Sequence, residues 1–135
     1  IKVFYNNYGW KENSNNQSVD AQQFEDLREC AEDYLIKCRN RINKFLPKKG
    51  IHFLDMASGS IQYPEYIEYS KNFSKRHCVD LSQDALQLAE KKIGTHGEYY
   101  NKDFFDCSFP VSFLLLLLLF YFIIGSAIRT YLIKS

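Results

Sequence analysis

Ile51-His52-Phe53-Leu54-Asp55-Met56 runs directly into Ala57-Ser58-Gly59-Ser60. The first part is short, mostly apolar and bounded by Gly50 and Gly59. A run of that length predicts a buried strand, because a helix needs more residues. The strand finishes beside a carboxylate, Asp55, and passes at once into a turn of small residues.

Downstream the pattern repeats. Pro64-Glu65-Tyr66-Ile67-Glu68-Tyr69 predicts a helix with Pro64 in its first turn. Arg76-His77-Cys78-Val79 predicts a second strand, ending in Asp80. Ser82 then caps a helix with apolar Ala85, Leu86, Leu88, Ala89 and Ile93. Lys91 and Lys92 suit its C-terminal dipole, and Gly94 stops it. A third strand near Glu98 to Asn101 leads into Lys102-Asp103-Phe104-Phe105-Asp106. Alternation of strand and helix on this spacing predicts an α/β fold: a Rossmann-like parallel sheet with crossover helices. Ligands of such sheets bind beyond the carboxyl ends of the strands. Asp55, Asp80 and Asp103 are therefore expected along one edge.

The chemistry of that edge selects a ligand. A dinucleotide needs its pyrophosphate on a helix N-terminus, cradled by G-x-G-x-x-G. Here the turn has one glycine, Gly59, with Ala57 and Ile61 at the flanking alternate positions. A buried Asp55 repels phosphates and suits an ammonium or sulfonium. Gly59 lets a ligand approach the backbone. Asp80 stands where an acid takes two ribose hydroxyls. Asp103 can accept from an adenine amino group, and the Phe104 ring can pack on the base. Adenosine, positive charge and no phosphate together describe S-adenosylmethionine.

These residues also carry a family resemblance. Leu54-Asp55-Met56-Ala57-Ser58-Gly59-Ser60 resembles the first motif of class I S-adenosylmethionine-dependent methyltransferases, in a branch whose turn reads A-S-G. Val79-Asp80-Leu81-Ser82 resembles their second acidic strand end, and Asn101-Lys102-Asp103-Phe104 their third. The resemblance covers residues 50–110. It implies that Asp55 lies near the methionine ammonium and that Ala57, Ser58 and Gly59 line the methionine portion. It implies that Asp80, with Leu81 beside it, holds the ribose, and that Asp103 and Phe104 meet the adenine. The chain departs from the family at Ala57 and Ile61, where glycine is usual. No catalytic residue is assigned, because the family's substrate-facing residues come from later segments, and the methyl acceptor is unknown. Trp10 and Tyr8 are expected as a lid, by analogy with the family's N-terminal segments.

Each acid also has a plainer account. Asp80 before Leu81-Ser82 is ordinary turn chemistry, and Asp103 suits a solvated loop. His52 and His77 fall inside strands and read as core or surface histidines. Tyr63, Tyr66 and Tyr69 form a packing stripe at helical spacing.

Upstream, residues 1–17 read as an aromatic and then polar segment. Residues 18–49 predict one long helix of about seven turns, with Phe24, Leu27, Ala31, Leu35, Cys38, Ile42 and Phe45 on one stripe. Lys37, Arg39, Arg41 and Lys44 load its C-terminal half. A solvated helix face accounts for that half more simply than an anionic partner. Downstream, residues 111–128 are uncharged and include Leu114 through Leu119 in a row. At ~18 residues the segment reaches membrane-spanning length, and the tail 129–135 is basic. The expected fourth strand is not visible there. The sheet therefore reads as truncated after about three strands and followed by an apolar C-terminal helix. A frame-shifted tail explains this composition as well as a membrane anchor does. A cytosolic cofactor implies a cytoplasmic location; an anchor implies a membrane-associated one.

Composition excludes several classes. Lys and Arg number 17 against 16 Asp and Glu, a net charge of +1. That balance gives no reason to expect nucleic acid. Cys30, Cys38, Cys78 and Cys107 form no C-x-x-C pair, so neither a metal site nor a redox dithiol is expected. Two rivals to the methyltransferase reading stand: a nicotinamide-dependent oxidoreductase fragment, and a non-catalytic, membrane-tethered or truncated fragment.

Overall fold

A computed structural model of the chain describes residues 3, 8–14, 18–25 and 28–109. The rings of Phe24 and Phe104, the apolar segment 111–128 and the tail 129–135 lie outside the described residues.

The elements follow in order α1 (Val19–Phe24), α2 (Glu29–Arg41), β1 (Gly50–Met56), α3 (Pro64–Glu68), β2 (Phe73–Asp80), α4 (Gln83–Ile93) and β3 (Gly97–Asn101). Short 3-10 turns at Ile42–Lys44, Gly94–His96 and Phe104–Asp106 link or follow them. The strands form one parallel sheet in the order β1-β2-β3. Asp55 registers with Cys78, and Asp80 with Asn101. The fold is therefore α/β with β-α-β crossovers.

Side chains alternate across each strand, which divides the core. On one face Phe53, Tyr69 and Phe73 form a cluster joined by Ile42, Leu46 and Tyr66. Beside it Cys78, Ile61, Leu86 and Ala89 pack with Tyr66, Ile93 and Tyr99. Helices α3 and α4 thus cover the same face. Burying a side chain the size of Leu86 or Phe53 contributes about 1.5–3 kcal/mol each. The opposite face carries Leu54, Met56 and Val79, packed against Tyr100, Cys107 and Phe109. There His52 Nδ1 meets His77 Nε2 at 2.9 Å, and His77 Nδ1 lies 3.2 Å from the Tyr100 hydroxyl.

Local signals explain the best-defined helix. The Ala85 amide donates to Ser82 Oγ at the start of α4. Gly94 ends it with φ 51°, a left-handed conformation open to glycine.

The single long helix expected over 18–49 is not formed. Glu25 and Arg28 both have extended backbone, so α1 and α2 are separate. The break lets Glu25 accept from the Tyr63 hydroxyl and face Arg39 at 4.0 Å. Those tertiary contacts stand in place of continued helical hydrogen bonds. Phe45, expected on the packed stripe, is 68% exposed.

Among the described residues no helix is long and apolar enough to cross a membrane.

Candidate functional site

The turn after β1 holds both of the non-glycine residues with positive φ among the described residues. Ala57, Gly59 and Ile61 all have positive φ, at 57°, 58° and 51°. Left-handed backbone at alternate positions is natural for glycine and costs other residues about 1–2 kcal/mol. The two departures noted in the sequence, Ala57 and Ile61, thus adopt the conformation that glycine would favour. Ile61 is a β-branched residue in a region such residues rarely occupy, and burial of its side chain, only 1% exposed, offsets the strain.

Two bonds tie this turn to β2. The Ser58 amide donates to the Val79 carbonyl at 3.1 Å. The Gly59 amide donates to Asp80 Oδ2 at 2.8 Å. Asp80 Oδ1 accepts from the Ser82 amide, also at 2.8 Å, so one carboxylate joins the turn to the start of α4. A carboxylate offers about four acceptor sites, and the amides of Ser82, Gly59 and Leu81 take three of them, which leaves room for one further donor. Burial raises the Asp80 carboxyl above its ordinary value, and the Asp55 charge adds to this; the amides of Ser82, Gly59 and Leu81 pull the other way. Leu81, next to it, is 38% exposed and gives the edge an apolar side chain.

Asp55 is placed as expected at the end of β1, but its charge is already answered. Arg76 Nε donates to Asp55 Oδ2 at 2.9 Å, and Arg76 Nη2 donates to the same oxygen. The two side chains are 3% and 13% exposed, a nearly buried ion pair. The cation expected beside Asp55 is thus supplied by the chain itself. Sequence reasoning missed Arg76. The only signal for it is its alternation with Cys78 and Asp80, which puts it on the helix-covered face.

Asp103 lies past β3, whose last residue Asn101 donates from Nδ2 to the Asp80 carbonyl at 3.1 Å. Its carboxylate accepts from the Phe105 amide at 3.1 Å and caps the following turn. The structure therefore brings Asp55 and Asp80 together on one face and sets Asp103 one strand further along the same edge. The stacking role expected of the Phe104 ring lies outside the described residues.

Trp10 comes from the N-terminal segment to this turn. A Cβ built on Gly59 would stand 2.6 Å from Trp10 Cη2, so the indole rests directly on the glycine. Tyr8, the other residue expected in a lid, is 58% exposed. The segment is fixed by Lys92 pairing with Glu12 at 3.5 Å and by a bridge between Glu12 and Ser18. A groove of about 250 Å³ adjoins it, lined by Trp10, Glu12, Asp84, Leu88 and Lys91 among others.

Tyr63, Tyr66 and Tyr69 pack edge to edge, with ring centroids 5.5 Å apart in each step. Arg39 lies over the Tyr63 ring at 3.5 Å and pairs with Glu65 at 3.5 Å. This cluster joins α2 to α3, as a packing stripe should. All four cysteines are free thiols. Among the described residues no group of His, Cys, Asp or Glu could hold a metal ion.

Fold and site together define an α/β chain that gathers Asp55 and Asp80 at the carboxyl ends of parallel strands. Comparison with protein-family models, with curated proteins and with solved structures gives no match.

Proposed function

We propose that the chain is the cofactor-binding half of an S-adenosylmethionine-dependent methyltransferase. One observation carries the reading. A left-handed turn at positions 57, 59 and 61 follows the acid of β1 and is bonded through Gly59 to the acid of β2. A turn of that shape presents backbone to a ligand, and Asp80 stands beside it with acceptor capacity left for a ribose hydroxyl.

The residues present fit the nucleoside part of the cofactor. Asp80 would hold the ribose, Leu81 would offer apolar contact to the base, and the backbone of Ala57, Ser58 and Gly59 would border the methionine portion. Asp103 would take the adenine amino group. Asp55 acts differently from the simplest expectation: paired with Arg76, it holds the strand end in place and leaves Asp80 as the less compensated charge. When bound, S-adenosylmethionine supplies an electrophilic methyl group. The chain's own contribution is binding and orientation, which convert a bimolecular transfer into a positioned one.

Calorimetric titration with S-adenosylmethionine, and separately with NAD, tests this. Heat is expected with the first alone. Asp80→Ala should weaken binding by about tenfold or more, since hydrogen bonds to a charged group contribute ~1.5–3 kcal/mol. Heat with NAD and none with S-adenosylmethionine would favour the oxidoreductase reading instead.

A further inference from the structure

The turn that enters β1 carries a surface unrelated to the cofactor edge. Between Tyr34 and Leu54 the sequence holds Lys37, Arg39, Arg41, Lys44, Lys48 and Lys49 and no Asp or Glu. Arg39 points inward, with its side chain 14% exposed against Glu25 and Glu65. Arg41, Lys44, Lys48 and Lys49 are exposed, and none forms an ion pair among the described residues. The acids of α2, Glu29, Glu32 and Asp33, all lie in the N-terminal half of the helix, ahead of its basic residues.

Two large apolar side chains stand among these cations. Phe45 and Ile51 are each 68% exposed. Their exposure is set by their neighbours. Ile42 and Leu46 pack into the Phe53, Tyr69 and Phe73 cluster and anchor the turn. The Gly50 amide donates to the Asn72 carbonyl and fixes where the strand begins. An aromatic and an aliphatic residue held out of the core, within a few residues of exposed cations, match two layers of one partner. Aromatic side chains favour the bilayer interface. Lysines near an anionic leaflet are attracted to its headgroups while their stems lie along apolar surface.

We propose that this turn, with the last turn of α2, docks on an anionic lipid bilayer. Phe45 and Ile51 together offer apolar surface for the acyl boundary beneath anionic headgroups, as amphipathic membrane-surface segments do. Strand β1 is 7 residues long, so the surface lies about 20 Å from the Asp55 end of the sheet. Docked there, the chain leaves its ligand edge turned away from the membrane.

Co-sedimentation of the full chain with phosphatidylcholine vesicles, with and without phosphatidylserine, tests this. Binding should rise with phosphatidylserine content and fall severalfold as NaCl is raised. A combined Lys44→Glu, Lys48→Glu, Lys49→Glu variant should lose the phosphatidylserine-dependent binding, and Phe45→Ser should reduce it severalfold. All four positions are exposed, and circular dichroism should show each variant folded. Binding that is equal on both vesicles, insensitive to salt and unchanged in the variants would overturn the proposal and assign membrane affinity to residues 111–128. Retention on heparin without vesicle binding would overturn it in favour of a polyanion.

Discussion

The Gly59 amide and the Asp80 carboxylate meet at 2.8 Å across 21 residues of sequence, so the turn and the neighbouring strand end move as one unit. The Asp80 carboxyl is held above 3.8, first by burial. A raised acid favours its protonated form in the fold. Its contribution to stability is therefore present below 3.8 and lost as pH rises through the folded value. Ribose hydroxyls that donate to the ionised form oppose that preference. Affinity for S-adenosylmethionine should fall as pH drops through this window, and binding there should release a proton. Calorimetry in buffers of different ionisation heat measures both. A pH profile just as steep in Asp80→Asn would refute the role of this carboxyl.

The strained turn separates backbone from side-chain effects. Ala57 is exposed at φ 57°, so Ala57→Gly removes strain and loses no packing. Its stability should be unchanged or raised by up to about 1 kcal/mol. Ile61→Gly relieves the same kind of strain but empties a buried site, and should cost ~2–4 kcal/mol. Chemical denaturation of both variants reads the contrast. Equal losses would mean that the burial of Ile61 is not what distinguishes them.

The Asp55–Arg76 pair is a second target. Removing one partner leaves a nearly buried charge without compensation, so Arg76→Met should destabilise by about 3–5 kcal/mol. Adding Asp55→Leu should recover much of that loss. A double-mutant cycle by denaturant titration gives the coupling, and additive losses would argue against a direct pair.

His77 should make stability depend on pH. Burial lowers its pKa below 6.5, while Glu98 pulls it back up. Its neutral form is thus favoured in the fold. The stability it contributes is present above 6.5 and is lost as pH falls through the lowered folded value. The melting temperature should drop between about pH 7 and about pH 5. In His77→Gln that slope should shrink.

Much of this architecture is legible in the chain. The runs ending at Asp55, Asp80 and Asn101 are strands of short length, bounded by turn formers, with apolar or aromatic residues such as Phe53, Val79 and Tyr100 among them. Ser82 and Gly94 mark both ends of α4. The start of β2 is less legible: it begins at Phe73, three residues before the predicted Arg76, and polar Ser74 and Lys75 disguise it. Arg76 reads as polar surface until Asp55 is known to lie across the sheet, which is a tertiary fact. The break near Glu25 is hidden for the same reason. The spacing of Phe24, Leu27 and Ala31 continues through it, and only Tyr63 and Arg39, from distant segments, reveal why the helix stops. At the site, two acids on one edge follow from strand ends alone, but the partner that neutralises the first does not.

The indole of Trp10 rests on Gly59, and it is the only tryptophan in the sequence. Its emission therefore reports one place, the turn after β1, without a label. Any molecule that settles on that turn must either stack on the ring or push it into water. The first would quench the fluorescence and the second would shift it to longer wavelength, so a fluorimeter can follow occupancy of this one turn in a dilute solution of the chain.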